Sequence, residues 1–564
     1  MSLEGNSEYS YSTRLQYAFL TTSKLHKNVP DDLKSCATSL GSEPSIFEGE
    51  RSEEGCGDDF FCGTHPRDVL DLRDTDSELS SDDSAATVTD SNTFDVIIIG
   101  AGLSALSALR ELLLYDGSMR IQLLEARDYI GGRVLSTSEK VINGCVVQLA
   151  MGAAWIHGDI GNPLLELGRD SLDMKTVSPC NPWMRPPVDG SNVTVSVAGR
   201  EVDVSSSSEI WKAFVHKVEK DPSIGTLSLA DALCKYLSSE EQLNPLIIRN
   251  TALCECWSGA SSACLPAECL IGSDGFIDNA TNTKVSNADG SSLFGDFPGS
   301  HCLLHNSADI ISNIVNSIGN KDAIDKMVRL NAPVGSISLC DIDEAGTAGS
   351  VAVATRDGKT YFSNHVIVTA PLKPLQRIIF EPPLPAAKTA AMNRVSYCCY
   401  KKVQLEFSVP FWSASDPFFV LINSDRHKKI LGPSLILDNF LNLRGLPILE
   451  AVIVGSFGEA MTGKSDGVIQ NFVIEALSEH FSVTEVINCT ISRWEEDPYS
   501  AGAYSFHSMA YQCLDVDTIK EPVRNVIFFA GEHTDPVIYG SLNAAHSSGV
   551  RAAKEVLSAM RGMR

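Results

Sequence analysis

Apolar positions along this chain follow two rhythms. Val96 to Ile99 is a continuous run with β-branched character, the pattern of a strand buried on both faces. Leu103 to Leu114 then spaces Leu and Ala at helical intervals, and Ile121 to Leu124 forms a second apolar run ending at Glu125. Strand, helix and strand in that order predict a βαβ unit. Val146 to Gly158 (VVQLAMGAAWIHG) predicts a further strand entering a glycine-bearing loop. From about 181 to 295 the pattern changes to amphipathic helices and loops such as Asn287-Ala288-Asp289-Gly290. Alternating strands return at Ala332 to Leu339, Ser350 to Thr355 and Asn364 to Ala370, where Pro371 breaks the last. Asn525 to Lys554 repeats the opening order of buried strand, glycine, acid, loop and helix. A style that leaves and returns predicts one domain inserted into another. The first takes segments 94–180, 296–375 and 485–560, the second 181–295 and 376–484.

The turn between the first strand and helix carries chemistry. Gly100 permits a tight turn, Gly102 lets the backbone approach a pyrophosphate, and Ala105 is small enough for the helix to pack on the strand. The unpaired N–H groups at the helix N-terminus favour a phosphate there. Glu125, at the end of the second strand, is the acid type that binds ribose hydroxyls, so the unit predicts a dinucleotide site.

Charge removes several alternatives. The 564-residue chain has a formal net charge of −26, which argues against nucleic acid or anionic membrane as a general partner. Residues 1–93 hold 19 acidic and 7 basic side chains and little apolar periodicity, so this leader is expected to be disordered. The N-terminal residues do not read as a secretory signal, no apolar stretch has membrane-spanning length, and the last residues do not spell a peroxisomal address. A cytoplasmic protein, or a nuclear one, is the expectation. The 16 cysteines fit free thiols, and Cys254, Cys256, Cys264 and Cys269 lack paired CxxC spacing, so no metal is expected. Gly458 to Ser465 spells a phosphate loop, G-x-x-x-x-G-K-S, after an apolar run. It lacks an acidic partner strand for magnesium, so nucleotide-triphosphate binding is not expected.

Several separate segments then share one resemblance: Glu125-Ala126-Arg127 with Gly131-Gly132-Arg133, GAAWIHG at Gly152 to Gly158, VIVTAPL, EPPLP, Tyr400-Lys401-Lys402-Val403, RWEEDPYSAGAYS at Arg493 to Ser505, and GEHT at Gly531 to Thr534. In this order the chain resembles the flavin-containing amine oxidase family over about residues 94 to 560, most closely its polyamine and spermine oxidases, because WIHG is followed by Asn162-Pro163-Leu164. The resemblance implies an α/β fold in which a Rossmann-like FAD-binding domain is interwoven with an α+β substrate domain. It also implies FAD held noncovalently, since no cysteine lies between Gly531 and Gly549. By motif position Gly100, Gly102, Glu125 and Arg133 would hold the ADP half and pyrophosphate. Gly152 and Trp155 would lie along the flavin, Val334 would meet the adenine, and Glu532 would reach the ribityl and pyrophosphate region. Ala105, Arg127, Gly132, Ala153, Trp494, Gly531 and Leu542 complete the implied cofactor set.

For the reacting centre, alternation in YKKVQLEF predicts a half-buried strand with a polar face, on which a lysine would ordinarily be solvated. The resemblance instead makes Lys402 the lysine that holds a water beside the flavin, and Lys401 a variable position. Tyr400, two residues before Lys402, points to the same side. With Tyr504 it would sandwich the substrate amine against the flavin. His157 matches a position near the distal substrate nitrogen. Asn306-Ser307 and Ala544-Ala545 depart from the family's Gly-Gly and Gly-Ala pairs, and Ser541 stands where some plant polyamine oxidases have an aromatic. The implied activity is oxidation of a polyamine C–N bond, with oxygen as acceptor and an aldehyde, an amine and hydrogen peroxide as products. The alternatives are a lysine demethylase, although the helical docking module and long helical insertion of that type are not apparent in the sequence, or a catalytically silent FAD-bound interaction protein.

Overall fold

The computed structural model describes residues 92–562, apart from 178–192, 205–206, 271–299, 320, 343–347 and 513. Residues 1–91 of the acidic leader lie outside these residues. Two sheets organise the chain. In the first, the order is Val328–Arg329, Ile121–Leu124, Thr93–Ile99, Thr360–Val368, Ala348–Thr355, Val334–Ile342 and Ile379–Glu381. Thr93–Ile99 pairs in parallel with both neighbours. The last residues of Thr360–Val368 pair in parallel with Ile527–Phe529. Val96, Ile97, Ile98, Val366, Ile367 and Val368 are fully buried, which is why these strands read as unbroken apolar runs.

Helices Leu103–Tyr115, Ala308–Ile318 and Leu542–Gly562 cover one face of this sheet. The first and last cross so closely that a Cβ on Gly549 would overlap the Ser104 carbonyl oxygen, and Ser104 and Ser548 hydroxyls meet at 3.2 Å. Ala544 is fully buried in the same helix, so the close packing expected of a glycine pair is carried by Gly549. Asn306-Ser307 begins Ala308–Ile318 without left-handed backbone: Ser307 is right-handed at φ −67°, and the Asn306 side chain accepts from the Ala308 N–H.

The second sheet runs Val486–Ile491, Tyr400–Phe407, Ile448–Val454, Ser434–Asn439, Phe418–Ile422, Val193–Val197 and Arg200–Glu201. Val403, Leu405 and Phe407 pack one face onto helix Asp466–Ser478. Val420, Ile436 and Val452 pack the other onto Ala252, Leu253 and Cys256 of helix Pro245–Ser258, alongside Ala150 and Ala154. The sequence boundaries shift in two places. Val486–Ile491 pairs with Tyr400–Phe407, so the second lobe extends past 485. Ile379–Glu381 pairs with Val334–Ile342, so the first lobe extends past 375. Val146 to Gly158 is not one strand but two short ones, Cys145–Val147 and Trp155–Ile156, joined by a loop.

The phosphate-loop spelling is not a phosphate loop. Gly458 lies inside helix Gly455–Ala460, which follows the strand directly, and Lys464 uses its carbonyl to accept from Arg493. Among the described residues, no group of three or more His, Cys, Asp or Glu could hold a metal, and no helix is long and apolar enough to cross a membrane.

Candidate active site

Glycine geometry shapes a cradle at the edge of the first sheet. Gly100 has φ +103°, and a Cβ there would stand 2.6 Å from Oγ1 of Thr369. Gly102 begins helix Leu103–Tyr115 and offers no side chain to its first N–H groups. Gly131 and Gly132 also take positive φ, at +108° and +61°, and Gly102 bridges Gly131. The buried Glu125 carboxylate accepts from the Ala101 N–H at 2.7 Å and the Arg127 N–H at 2.9 Å. Burial pushes its proton affinity above the ordinary value despite these donors. Glu125 thus braces the glycine turn.

Arg127 joins two distant segments. Its guanidinium donates to Asp497 at 2.7 Å and to Ser500 at 2.6 Å, tying the βαβ unit to the segment after Trp494. Arg133 donates to the Ala503 carbonyl at 2.7 Å and to Glu532 at 3.0 Å. Glu532 also accepts from Ser505 Oγ, Tyr397 OH and the Gly540 N–H. Burial works against its charge, but Arg133 and these donors hold the carboxyl below its usual range. With its oxygens so engaged, Glu532 fixes Arg133 and the backbone at 505 and 540, and Arg133 is the residue of this pair placed to meet an anion.

Gly152 is a second close approach. A Cβ there would overlap the Arg133 carbonyl oxygen and stand 3.1 Å from Cζ2 of Trp494, whose indole donates to the Met151 carbonyl at 2.9 Å. Ala153 donates its N–H to the same Arg133 carbonyl, and Trp155 tilts against Phe418 at 6.2 Å. Val334 and Leu542 are buried, at the start of a sheet strand and of the C-terminal helix. Ala105 is fully buried in the first helix, and Gly531, at φ +124°, donates to Ser548.

Tyr400, on the second sheet, and Tyr504, in the loop before Ser505–Phe506, stand 5.9 Å apart, centroid to centroid, at 47°. Rings this close form one aromatic wall. Helix Pro245–Ser258 positions both: the Tyr504 hydroxyl donates to the Trp257 carbonyl at 3.0 Å, and the Tyr400 hydroxyl meets Cys256 Sγ at 3.6 Å. Gly259 ends that helix at φ +63°, where a Cβ would stand 3.0 Å from the Tyr504 hydroxyl. Burial raises both phenols far above their ordinary range, so both stay neutral.

Lys402 lies on the Tyr400 side of its strand, buried, with Nζ 3.3 Å from both Glu450 Oε1 and the Ala150 carbonyl. Lys401, on the other side, is fully buried and ion-paired with Glu495. Lys401 is thus built into the interior rather than solvated, as alternation alone would have it. His157 stacks edge-on to Trp257 at 5.2 Å and to His301 at 5.5 Å, with its Nδ1 buried and unpartnered. Burial and then His301 push its pKa down to about 3, so it stands beside the site as a neutral ring. Glu450 and Gln404 were not identified from the sequence, although an acid inside the apolar run PILEAVIV is the signal that marks Glu450.

The family model for flavin containing amine oxidoreductases matches residues 100–557. The chain belongs to this family. The peroxisomal N(1)-acetyl-spermine/spermidine oxidase of Homo sapiens is 25% identical over 513 residues, which covers 82% of this chain and 94% of that protein. Polyamine oxidase 4 of Oryza sativa subsp. japonica is 27% identical over 477 residues, 82% of this chain and 88% of that protein. Lysine-specific histone demethylase 1 homolog 3 of Arabidopsis thaliana is 30% identical over 276 residues, 48% of this chain, and the chain spans only 16% of its length.

The family cofactor is FAD, and the residues present fit it: a glycine turn that leaves the first N–H groups of helix Leu103–Tyr115 without a side-chain cap, the buried Glu125 behind that turn, and the Arg133 guanidinium following Gly131 and Gly132, which together would hold the cofactor's anionic part. Glu125→Ala is expected to weaken FAD binding about 10- to 100-fold, because each hydrogen bond to a charged group contributes about 1.5–3 kcal/mol. Flavin titration of the apoprotein measures this, and unchanged affinity would remove Glu125 from the site.

Proposed function

We propose that this chain is a polyamine oxidase that uses oxygen and releases hydrogen peroxide. The observation that carries the reading is Tyr400, on the same strand face as buried Lys402 and walled by the Tyr504 ring, beside the loop that leads to Gly152. The near-complete overlap with two polyamine-acting relatives supports the substrate class. FAD supplies the acceptor for the hydride lost from the carbon next to the substrate nitrogen. The aromatic wall accommodates a cation through its π-faces and offers an apolar surface once the amine is neutral. Lys402 is buried and Tyr400 and Tyr504 are half-buried, which limits the water that reaches the reacting carbon. The imine product then takes up water to give an aldehyde and a shorter amine.

Anaerobic mixing of the purified protein with spermine, spermidine, their acetylated forms and methylated lysine peptides should bleach the flavin only with the polyamine class. Bleaching by the peptides alone would replace this reading with lysine demethylation, and bleaching by none would leave a non-catalytic flavoprotein. Acid precipitation should release the FAD into the supernatant; a yellow pellet would contradict noncovalent attachment.

A further inference from the structure

Gln404, Glu450 and Asp438 lie in one row across three adjacent antiparallel strands, with Gln404 opposite Glu450 and Glu450 opposite Asp438. Directly opposed residues share a sheet face, and this face carries Lys402 and Tyr400. Phe418 continues the row and touches Trp155. All three polar side chains are at least 96% buried, at 2%, 2% and 4% exposure respectively. Gln404 donates to Glu450 at 2.6 Å and to the Ala150 carbonyl at 3.3 Å, which fixes its amide orientation. Glu450 has Lys402 as its cation. Two acceptors are left over: Gln404 Oε1 and Asp438 Oδ1 are buried and have no hydrogen-bond partner.

Lys402 balances one carboxylate, so the row retains a second acid without a cation of its own. Burial, then the neighbouring Glu450 charge, raises the proton affinity of Asp438 well above the carboxylate range, with Lys402 only partly offsetting this. Helix Pro245–Ser258, whose Cys256 meets the Tyr400 hydroxyl, also packs on strand Ser434–Asn439, which carries Asp438. A buried acid beside unfilled acceptors is suited to a ligand that brings both N–H donors and positive charge.

We propose that Asp438, flanked by Glu450 and Gln404, is a specificity-determining residue that receives a second cationic nitrogen of the substrate. This rests on the polyamine-oxidising reading and assigns a residue to the second basic nitrogen of such an amine. A monoamine leaves Asp438 unmet, whereas a diamine supplies its charge and donors together.

The test is calorimetric binding to the FAD-loaded protein under anaerobic conditions. The probes are 1,4-diaminobutane, 1,8-diaminooctane and spermidine, compared with n-butylamine and n-octylamine. Wild type should bind at least one diamine or spermidine about 10- to 100-fold more tightly than the matching monoamine, the range for one hydrogen-bonded charge. Asp438→Asn should abolish that preference with monoamine affinity kept within a few-fold, and Asp438→Glu should retain most of it. Equal wild-type affinity for diamines and monoamines would mean that water alone meets these oxygens and would overturn the proposal. So would an Asp438→Asn protein with the preference intact, or an Asp438→Glu protein that has lost it. Because binding is read without turnover, flavin bleaching without diamine preference defeats this inference alone, and preference without bleaching defeats the catalytic reading.

Discussion

Lys402→Met is expected to keep FAD while slowing at least one flavin half-reaction by roughly 10²- to 10³-fold, the cost of deleting one preorganised polar group from a water-poor site. The argument is geometric. Nζ of Lys402 is anchored at 3.3 Å by both Glu450 and the Ala150 carbonyl, on the loop that leads to Gly152. A group held from the sheet side and the loop side at once has little freedom to reorganise when charge develops nearby. Methionine fills similar volume but supplies neither donor nor charge. The substitution also strands Glu450 in the interior, so some loss of stability should accompany the kinetic effect. Lys402→Met/Glu450→Gln should recover that stability without recovering the rate. Stopped-flow bleaching and reoxidation, measured separately on protein shown to be folded, give the result. Wild-type speed in both steps would remove Lys402 from the chemistry and Tyr400 with it.

What the sequence made legible follows from how locally each feature is encoded. The βαβ unit needed only its own residues: Val96 to Ile99 is buried on both faces, and Gly100 and Gly102 are where the backbone turns and where the helix begins. The edge strand Val486–Ile491 was misplaced because it is nowhere fully buried, so it lacks the apolar signal of a sheet strand. The strand Tyr400–Phe407 misled in the opposite sense. Its alternation reads as one wet and one dry face, yet both Lys401 and Lys402 are buried because helix Asp466–Ser478 covers one side and the Ala150 loop the other. Their partners, Glu495 and Glu450, come from 94 and 48 residues further along the chain, and no local pattern announces such pairing. The resemblance supplied Lys402, but it also made Lys401 look expendable.

Lys401→Met is therefore expected to destabilise the protein by about 3–5 kcal/mol, the usual cost of removing one partner from a buried ion pair. Lys401 is fully buried, ion-paired with Glu495, 4.0 Å from Glu496 and 3.3 Å from the Ser492 carbonyl. Burial lowers its proton affinity, with Cys399 and Glu496 partly opposing the change. Without the ammonium, Glu495 loses its ion-pair partner in a site where its Oε2 is already buried without a hydrogen bond. Lys401→Met/Glu495→Leu should restore much of the loss, since replacing both ions by apolar groups removes the unpaired charge along with the pair. Denaturant unfolding of the two variants against wild type decides the matter, and a single variant as stable as wild type would show that the pair contributes nothing. The folded fraction of Lys401→Met should still bleach at near wild-type speed, because successive strand residues face opposite sides and only Lys402 faces Tyr400. Adjacent lysines would then fail in different ways, one in stability and the other in rate.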